Sequence, residues 1–411
     1  MVPKIRRISK VYNGRLGEAT PVLETAGHAG GAVERLARSG LRGRGGGWFP
    51  AARKWHAVRV EGGDAVVVAN GAEGEPGSIK DRFVMTRRPA DVLAGLALAA
   101  RAVGAREAYV YLKGSFAGPA RALASALSAQ PPAGLQVQIR RGEDTYVAGE
   151  ETAVLEALEG RKAWPRPKPP LPAAVGFLGR PTLVHNVETL ARVPTALADP
   201  DAYRAGETTL VSLWGHVRRP GVYDVRLGTP LSRVIDEQGL GAPGGLGLLF
   251  PAGPSAPPLR PEAADTSLDP DALRAAGSAL GTAALLVLRA DVCPVSVAAS
   301  LAAFFERESC GQCPPCVLGS ASLARVLRSL ENGEARAADL HYLGESAGFM
   351  SKHGYCAHSR TAAASVQGLL ARFPDDVRAH LDARRCPRPE GRVDPFAPGS
   401  PERTAIEGLA A

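Results

Sequence analysis

Between residues 64 and 160 the chain switches repeatedly between two apolar periodicities. "DAVVVAN", ending at Asn70, is a short β-branched block, and "PADVLAGLALAARAVG" then spaces its apolar residues as a helix does, behind an initial proline. "EAYVYLKG" and "LQVQIRRG" are two further strand-like blocks separated by the helical "PARALASALSAQ", and "EETAVLEALEG" closes the series as a helix. Alternation of this kind predicts an α/β domain, a Rossmann-like parallel sheet with helices on its faces, over residues 1–205. Ligands of such folds sit beyond the carboxyl ends of the strands. Those ends carry Asn70–Gly77, Lys113–Gly118 and Gly142–Glu151, all rich in Gly, Glu or Asn.

The pattern changes twice more. In residues 206–290, "TLVSLWGHV", "RPGVYDV", "TPLSRVIDEQG" and "ALLVLRA" predict a hairpin, a helix and a closing strand, a small unit of β-grasp type. Residues 291–386 turn helical in four segments with short connections, as in a four-helix bundle. The Pro-, Arg- and Glu-rich tail, 387–411, is expected to be disordered. A proline run, "WPRPKPPLP" (164–172), suits neither helix interior nor central strand; it is either a linker or an ordered loop lying across the first domain's ligand site.

Composition narrows the function classes. The formal charge of +8 over 411 residues is modest, and basic runs such as "KIRRISK" and "RKWHAVR" look like solvated surface, so nucleic-acid binding is not expected. The longest apolar candidate, "ADVLAGLALAARAVGAR", is interrupted by charge and has the period of a buried helix, so no membrane insertion is expected. The N-terminal basic residues have no apolar core behind them, which argues against a secretory leader and for a cytoplasmic location. In a reducing compartment the six cysteines are not expected to form disulfides.

Three cysteines crowd into "ESCGQCPPCVLG". Cys310, Cys313 and Cys316 are each separated by two residues, and Cys356 follows after 39 more. Three thiolates at this spacing can grip three corners of a cubane, and a fourth from a distant loop completes the ligation of a [4Fe–4S] cluster. Structural zinc is the alternative, although it usually takes two separated cysteine pairs or mixes in histidine. Cys293 and Cys386 are left over as ordinary thiols, and His353 and His358 as ordinary loop residues.

"SGLRGRGGGWFPAARKW" (39–55) offers a glycine loop with Trp48 where the third glycine of a dinucleotide fingerprint would stand. The helical "AVERLARSG" before it argues against that fingerprint. A backbone-lined loop for a flat or phosphorylated cofactor, with Lys54 or an arginine supplying charge, fits better. Glu73, Glu75, Glu150 and Glu151 would repel a phosphate and so suit the polar, non-phosphate part of such a ligand.

Taken in order from about Arg35 to Arg372, "SGLRGRGG…FP…KW", "N…EGEPG…KDR", "Y…GEETA…LEG", the proline run, "NVETL", "GHV.RPGVY" and "ESCGQC.PC" closely resemble the flavin-bearing, NADH-oxidising subunit of respiratory complex I and the related subunits of NAD-linked hydrogenases and formate dehydrogenases. The resemblance implies FMN in the first domain, one [4Fe–4S] cluster in the bundle, and hydride transfer from NADH to flavin, then single electrons onward. By position it implies Gly43, Arg44, Gly45, Lys54, Asn70, Glu73, Gly149, Glu150, Glu151 and Asn186 around the flavin, Phe49, Glu75 and Lys168 toward NAD(H), and Gly46, Tyr146, His185 and Thr189 as further cofactor-binding residues. It implies work in a hetero-oligomer, on the cytoplasmic face of a membrane complex or in a smaller oxidoreductase. The partner would be a thioredoxin-like [2Fe–2S] subunit or a ferredoxin.

Several positions depart from the family pattern. Trp48 replaces a glycine, Ala72 a carboxylate, Ala148 a cysteine, His185 an asparagine, and Ala57 and Leu171 aromatic residues. Two further readings follow from them. One is an FMN and iron–sulfur subunit using a donor or acceptor other than NADH. The other is a scaffold subunit whose flavin site is filled by Trp48.

Overall fold

The computed structural model describes residues 29–410; the basic run "KIRRISK" lies outside them. A four-stranded parallel sheet forms the first layer, in the order β3–β2–β1–β4: β1 is Val66–Gly71, β2 Glu107–Lys113, β3 Gln136–Gly142 and β4 Thr182–Asn186. The fourth strand is a short apolar run behind Pro181 that the periodicity did not separate from the surrounding loops.

β1 is apolar from Val66 to Ala69 because both faces of the sheet are covered. Val67 and Ala69 join a core with Val92, Leu96 and Leu190, while Val66 and Val68 pack with Tyr109, Leu155 and Phe177 on the other side. Helices Pro89–Val103 and Val187–Ala198 cross at backbone distance, since a Cβ built on Gly95 would stand 1.8 Å from the Leu190 carbonyl oxygen. Buried side chains such as Leu96 and Leu190 each contribute about 1.5–3 kcal/mol of apolar transfer.

The second sheet runs β6–β5–β8–β7, with β5 (Thr208–Gly215) antiparallel to β6 (Gly221–Arg226), parallel to β8 (Ala284–Leu288), and β8 antiparallel to β7 (Leu248–Phe250). This mixed sheet is the expected β-grasp arrangement. Helices Pro294–Arg307, Pro314–Glu331, Ala337–His353 and Ala357–Arg372 follow as the bundle, and a fifth, Pro374–Ala383, leans on it.

The tail expected to be disordered is folded instead. Phe396 and Ile406 are fully buried, and the Phe396 ring meets Phe250 edge-on at 5.5 Å. Two apolar anchors outweigh a Pro- and Arg-rich composition because each has a prepared slot in the bundle core. Among the described residues no helix is long and apolar enough to cross a membrane.

Candidate functional site

Strand order reverses between β1 and β4, the position at which open parallel sheets leave a crevice for ligands. Asn70 and Asn186 stand side by side there as register partners at the two carboxyl ends. The Asn186 side chain accepts from the Glu188 backbone N–H and so caps the helix Val187–Ala198. Asn70 donates through Nδ2 to the Gly149 carbonyl at 2.8 Å, which draws the third loop into the crevice.

The glycine loop closes over this point as a small hairpin. Arg42 and Pro50 form an isolated bridge, and the Gly43 N–H donates to the Phe49 carbonyl at 2.9 Å. A Cβ on Gly45 would lie 3.3 Å from the Asn186 Cβ, so only glycine lets the loop approach without displacing that side chain. Gly46 has φ 108°, a conformation open to glycine, and a Cβ on Gly47 would meet nothing within 4 Å. The loop therefore presents bare backbone above the crevice. Phe49 is half exposed beside it, with the Arg53 guanidinium 5.3 Å from its ring centre.

Two lysines and two glutamates line the opposite wall. Lys54 Nζ donates to Glu151 Oε2 at 2.8 Å and to the Val184 carbonyl, and Lys168 Nζ reaches Glu150 at 2.7 Å and Glu151 at 2.8 Å. Burial works to raise the Glu151 carboxyl, but the charges of Lys54 and Lys168 hold it down at about 2. Glu150 caps the helix Glu151–Leu158 by accepting from the N–H groups of Thr152 and Ala153. The proline run is thus an ordered loop: Lys168 lies in it, and the Arg166 N–H donates to Thr152 Oγ1.

Other residues expected at the ligand are occupied by protein partners. The Arg44 side chain is 1% exposed, pairs with Glu207 at 2.6 Å and donates to the Arg42 and Thr208 carbonyls. Thr189 is fully buried and accepts from the Arg44 backbone N–H. Both oxygens of Glu73 are used in holding the start of the helix Lys80–Arg87, accepting from Ser78 Oγ, the Asp81 and Arg82 N–H groups and the Arg82 guanidinium. His185 accepts from Trp55 Nε1 at 2.9 Å; burial, then the Lys54 charge, lowers it to about 3, so it stays neutral. These four side chains position the loops through buried protein partners.

Trp48 is the largest surprise. Its φ of 50° is the left-handed conformation usual for glycine, and that twist turns the indole out of the crevice. The ring is 5% exposed, packs in the β-grasp core with Val211 and Leu285, and donates through Nε1 to the Gly281 carbonyl at 2.7 Å. The Arg44 guanidinium sits 4.3 Å from its centre. Trp48 thus neither stacks in the crevice nor blocks it. Glu75 lies at the same domain junction: it accepts from Tyr146 Oη at 3.1 Å and Ser255 Oγ at 2.6 Å. Burial raises its carboxyl to about 7 against those hydrogen bonds.

A buried ion network under the crevice was not singled out from sequence, although its lysine belongs to the quoted "KDR". Lys80 Nζ meets Asp81 at 2.6 Å and Glu188 at 3.1 Å, and Glu188 also pairs with Arg192. Burial would raise Glu188, yet Lys80, Arg192 and Arg44 hold it at about 2. The network fixes the two strand ends relative to each other.

Cys310, Cys313, Cys316 and Cys356 all line one cavity, closed by Val147, Pro165, Gln312, Tyr355 and His358. Four thiols brought from two segments to one cavity suit the four-thiolate ligation of a [4Fe–4S] cluster. Burial pushes the Cys316 thiol up to about 11 and raises that of Cys356, so bound iron must supply the charge that favours thiolates there. Gln312 donates to the Pro165 carbonyl at 3.1 Å, tying the cysteine loop to the proline loop.

A family model described as "Nuo51 FMN-binding domain" matches residues 36–195, and one described as "NADH-ubiquinone oxidoreductase-F iron-sulfur binding region" matches 296–380. The chain is 37% identical to the second F subunit of NADH-quinone oxidoreductase from Rhizobium meliloti (strain 1021), covering 86% of this chain and 90% of the relative. It is 36% identical to the mitochondrial 51 kDa subunit of NADH-ubiquinone oxidoreductase from Neurospora crassa, covering 85% and 76%. A solved NAD+-reducing [NiFe]-hydrogenase in the H2-reduced state is similar at TM-score 0.81 and 33% identity; 90% of this chain matches, spanning 66% of that chain.

Proposed function

Because the chain belongs to the family of NADH-quinone oxidoreductase F subunits, we propose that it oxidises NADH at an FMN held in the β1/β4 crevice and passes electrons singly to a [4Fe–4S] cluster. FMN, when bound, takes a hydride and gives up electrons one at a time, matching the one-electron capacity of an iron–sulfur centre. The observation that carries the reading is the turn Val147–Gly149. The Gly149 carbonyl accepts from Asn70 in the crevice, and Val147 lines the cysteine cavity. Two sites joined by one turn favour short-range transfer.

The residues divide the work. Bare backbone at Gly45–Gly47 admits a flat ring system, and Asn70 and Asn186 offer amides to its polar side chain. Lys54 exchanges its pairing with Glu151 for a phosphate. Glu150 keeps Lys168 at the mouth, where Phe49 offers an apolar face to the dinucleotide. Cys310, Cys313, Cys316 and Cys356 hold the cluster. No side chain need act as acid or base on the hydride; positioning suffices.

The family's members are parts of multi-subunit complexes, and this chain works in a hetero-oligomer. A [2Fe–2S] subunit or a ferredoxin as direct acceptor, and a cytoplasmic location, belong to the same proposal. Anaerobic titration of the flavin- and cluster-loaded protein with NADH tests it. Bleaching of the flavin with appearance of the reduced-cluster paramagnetic signal is expected; retained flavin that NADH fails to bleach would overturn it.

Ala72 keeps a second reading in view, since the crevice there lacks a carboxylate and Leu171 at the mouth is 56% exposed. Reduction by a low-potential ferredoxin with no response to NADH would favour that reading. The scaffold reading loses its physical cause, because the Trp48 indole occupies the β-grasp core.

A further inference from the structure

Outside the crevice and the cysteine cavity, one group of soft ligands has no assigned role. Cys293, His380 and Cys386 bring their ligand atoms within 4.8 Å of one another, the one such trio among the described residues. They come from three separate segments: Cys293 begins the helix Pro294–Arg307, His380 lies on Pro374–Ala383, and Cys386 opens the C-terminal segment. Cys293 is wholly buried, His380 is 1% exposed and Cys386 9%.

Their spacing fits one metal ion. Zinc–sulfur bonds of about 2.3 Å and zinc–nitrogen bonds of about 2.0 Å at tetrahedral angles set sulfur about 3.8 Å from sulfur and about 3.5 Å from nitrogen. Cys293 Sγ stands 3.6 Å from Cys386 Sγ and 3.4 Å from His380 Nε2. The imidazole is also prepared as a ligand. His380 Nδ1 lies 2.7 Å from the Asp376 carbonyl oxygen, which can only accept, so the ring proton sits on Nδ1 and the Nε2 lone pair faces the thiols. A histidine ligand fixed through its other nitrogen by a carbonyl is the usual arrangement in zinc proteins.

Charge favours the same ion. The carboxylate near the trio, Asp376, is paired with Arg388 at 2.9 Å, and Arg388 also donates to the Val292 carbonyl. A divalent ion with two thiolates and a neutral imidazole adds no net charge, which a buried position requires. Two sulfurs and a nitrogen select zinc among common divalent ions.

We propose that Cys293, His380 and Cys386 bind one zinc ion that clamps the C-terminal segment to the helical bundle. Binding displaces a proton from each thiol to solvent and involves no redox step, and water fills the fourth corner on the partly open side at Cys386. The clamp continues contacts already present: the Cys293 N–H donates to the Gly391 carbonyl at 2.8 Å, and Gly391 lies against the Asp291 carbonyl. The proposal is independent of the flavin reading.

The test is metal analysis of the flavin- and cluster-loaded protein, after incubation with zinc chloride and desalting, together with zinc K-edge absorption. One zinc per chain beside the cluster iron is expected, with a shell of two sulfurs at about 2.3 Å and nitrogen at about 2.0 Å. Cys386→Ser and His380→Gln should each lose the zinc while iron and flavin contents stay unchanged. Zinc absent from the wild type, a zinc shell of four sulfurs, zinc retained in both variants, or a Cys293–Cys386 disulfide found by mass spectrometry under reducing purification would each overturn it.

Discussion

Replacing Trp48 by glycine restores the residue usual at its backbone conformation and empties a filled site in the β-grasp core. Three losses oppose one gain. Truncating a buried tryptophan costs about 3–5 kcal/mol in transfer and cavity terms. The Gly281 carbonyl loses its indole donor, and the Arg44 guanidinium loses a ring face, which overlap with that figure. Relief of the left-handed backbone returns roughly 1–2 kcal/mol.

The net expectation is a destabilisation of about 1–4 kcal/mol, seen as a melting midpoint lowered by up to about 5 °C. The assay is thermal unfolding of W48G and wild type, paired with flavin titration of both flavin-free proteins. Flavin affinity should change less than about threefold, since the indole lies outside the crevice. Tenfold tighter flavin or NADH binding without loss of stability would show that the indole occupies the ligand site, and would refute the placement argued from Gly281.

Lys54→Met removes the proposed phosphate partner; flavin affinity should fall about 10- to 100-fold, and an unchanged dissociation constant by fluorescence titration would exclude that role. Lys80→Met leaves Asp81 buried without its cation and Glu188 with Arg192 alone, and should destabilise by about 3–5 kcal/mol in denaturant unfolding. Glu75 has its folded pKa raised from 4.5 to about 7, so the folded state binds the extra proton and stability falls as pH rises through that window. The cost above pH 7 is about 3 kcal/mol, so E75Q should gain on wild type between about pH 5 and pH 8; parallel pH profiles would contradict this.

Local pattern carried much of this protein. The β-branched "VVVA" block, the helical spacing after Pro89 and the tight spacing of Cys310, Cys313 and Cys316 are properties of neighbouring residues, so strand, helix and cluster loop could be read directly. Asn70 was legible as a strand-end residue, whereas Asn186 came only from the family resemblance, because the short β4 does not stand out from the loops around it. Contacts between distant segments were not legible. The destination of Trp48 depends on Gly281, the partner of Arg44 is Glu207, and the partner of His185 is Trp55. Cys293 and Cys386 looked like spare thiols because nothing in their spacing says that the bundle will bring them to His380. The tail looked disordered by composition, yet Phe396 and Ile406 anchor it in cores built by earlier segments. Sequence determined which chemistry each loop could carry, because residue type and short-range spacing are enough for that. Tertiary structure decided which side chains face the ligand and which serve the protein, because buried hydrogen bonds and cavities are settled by partners that chain order does not identify.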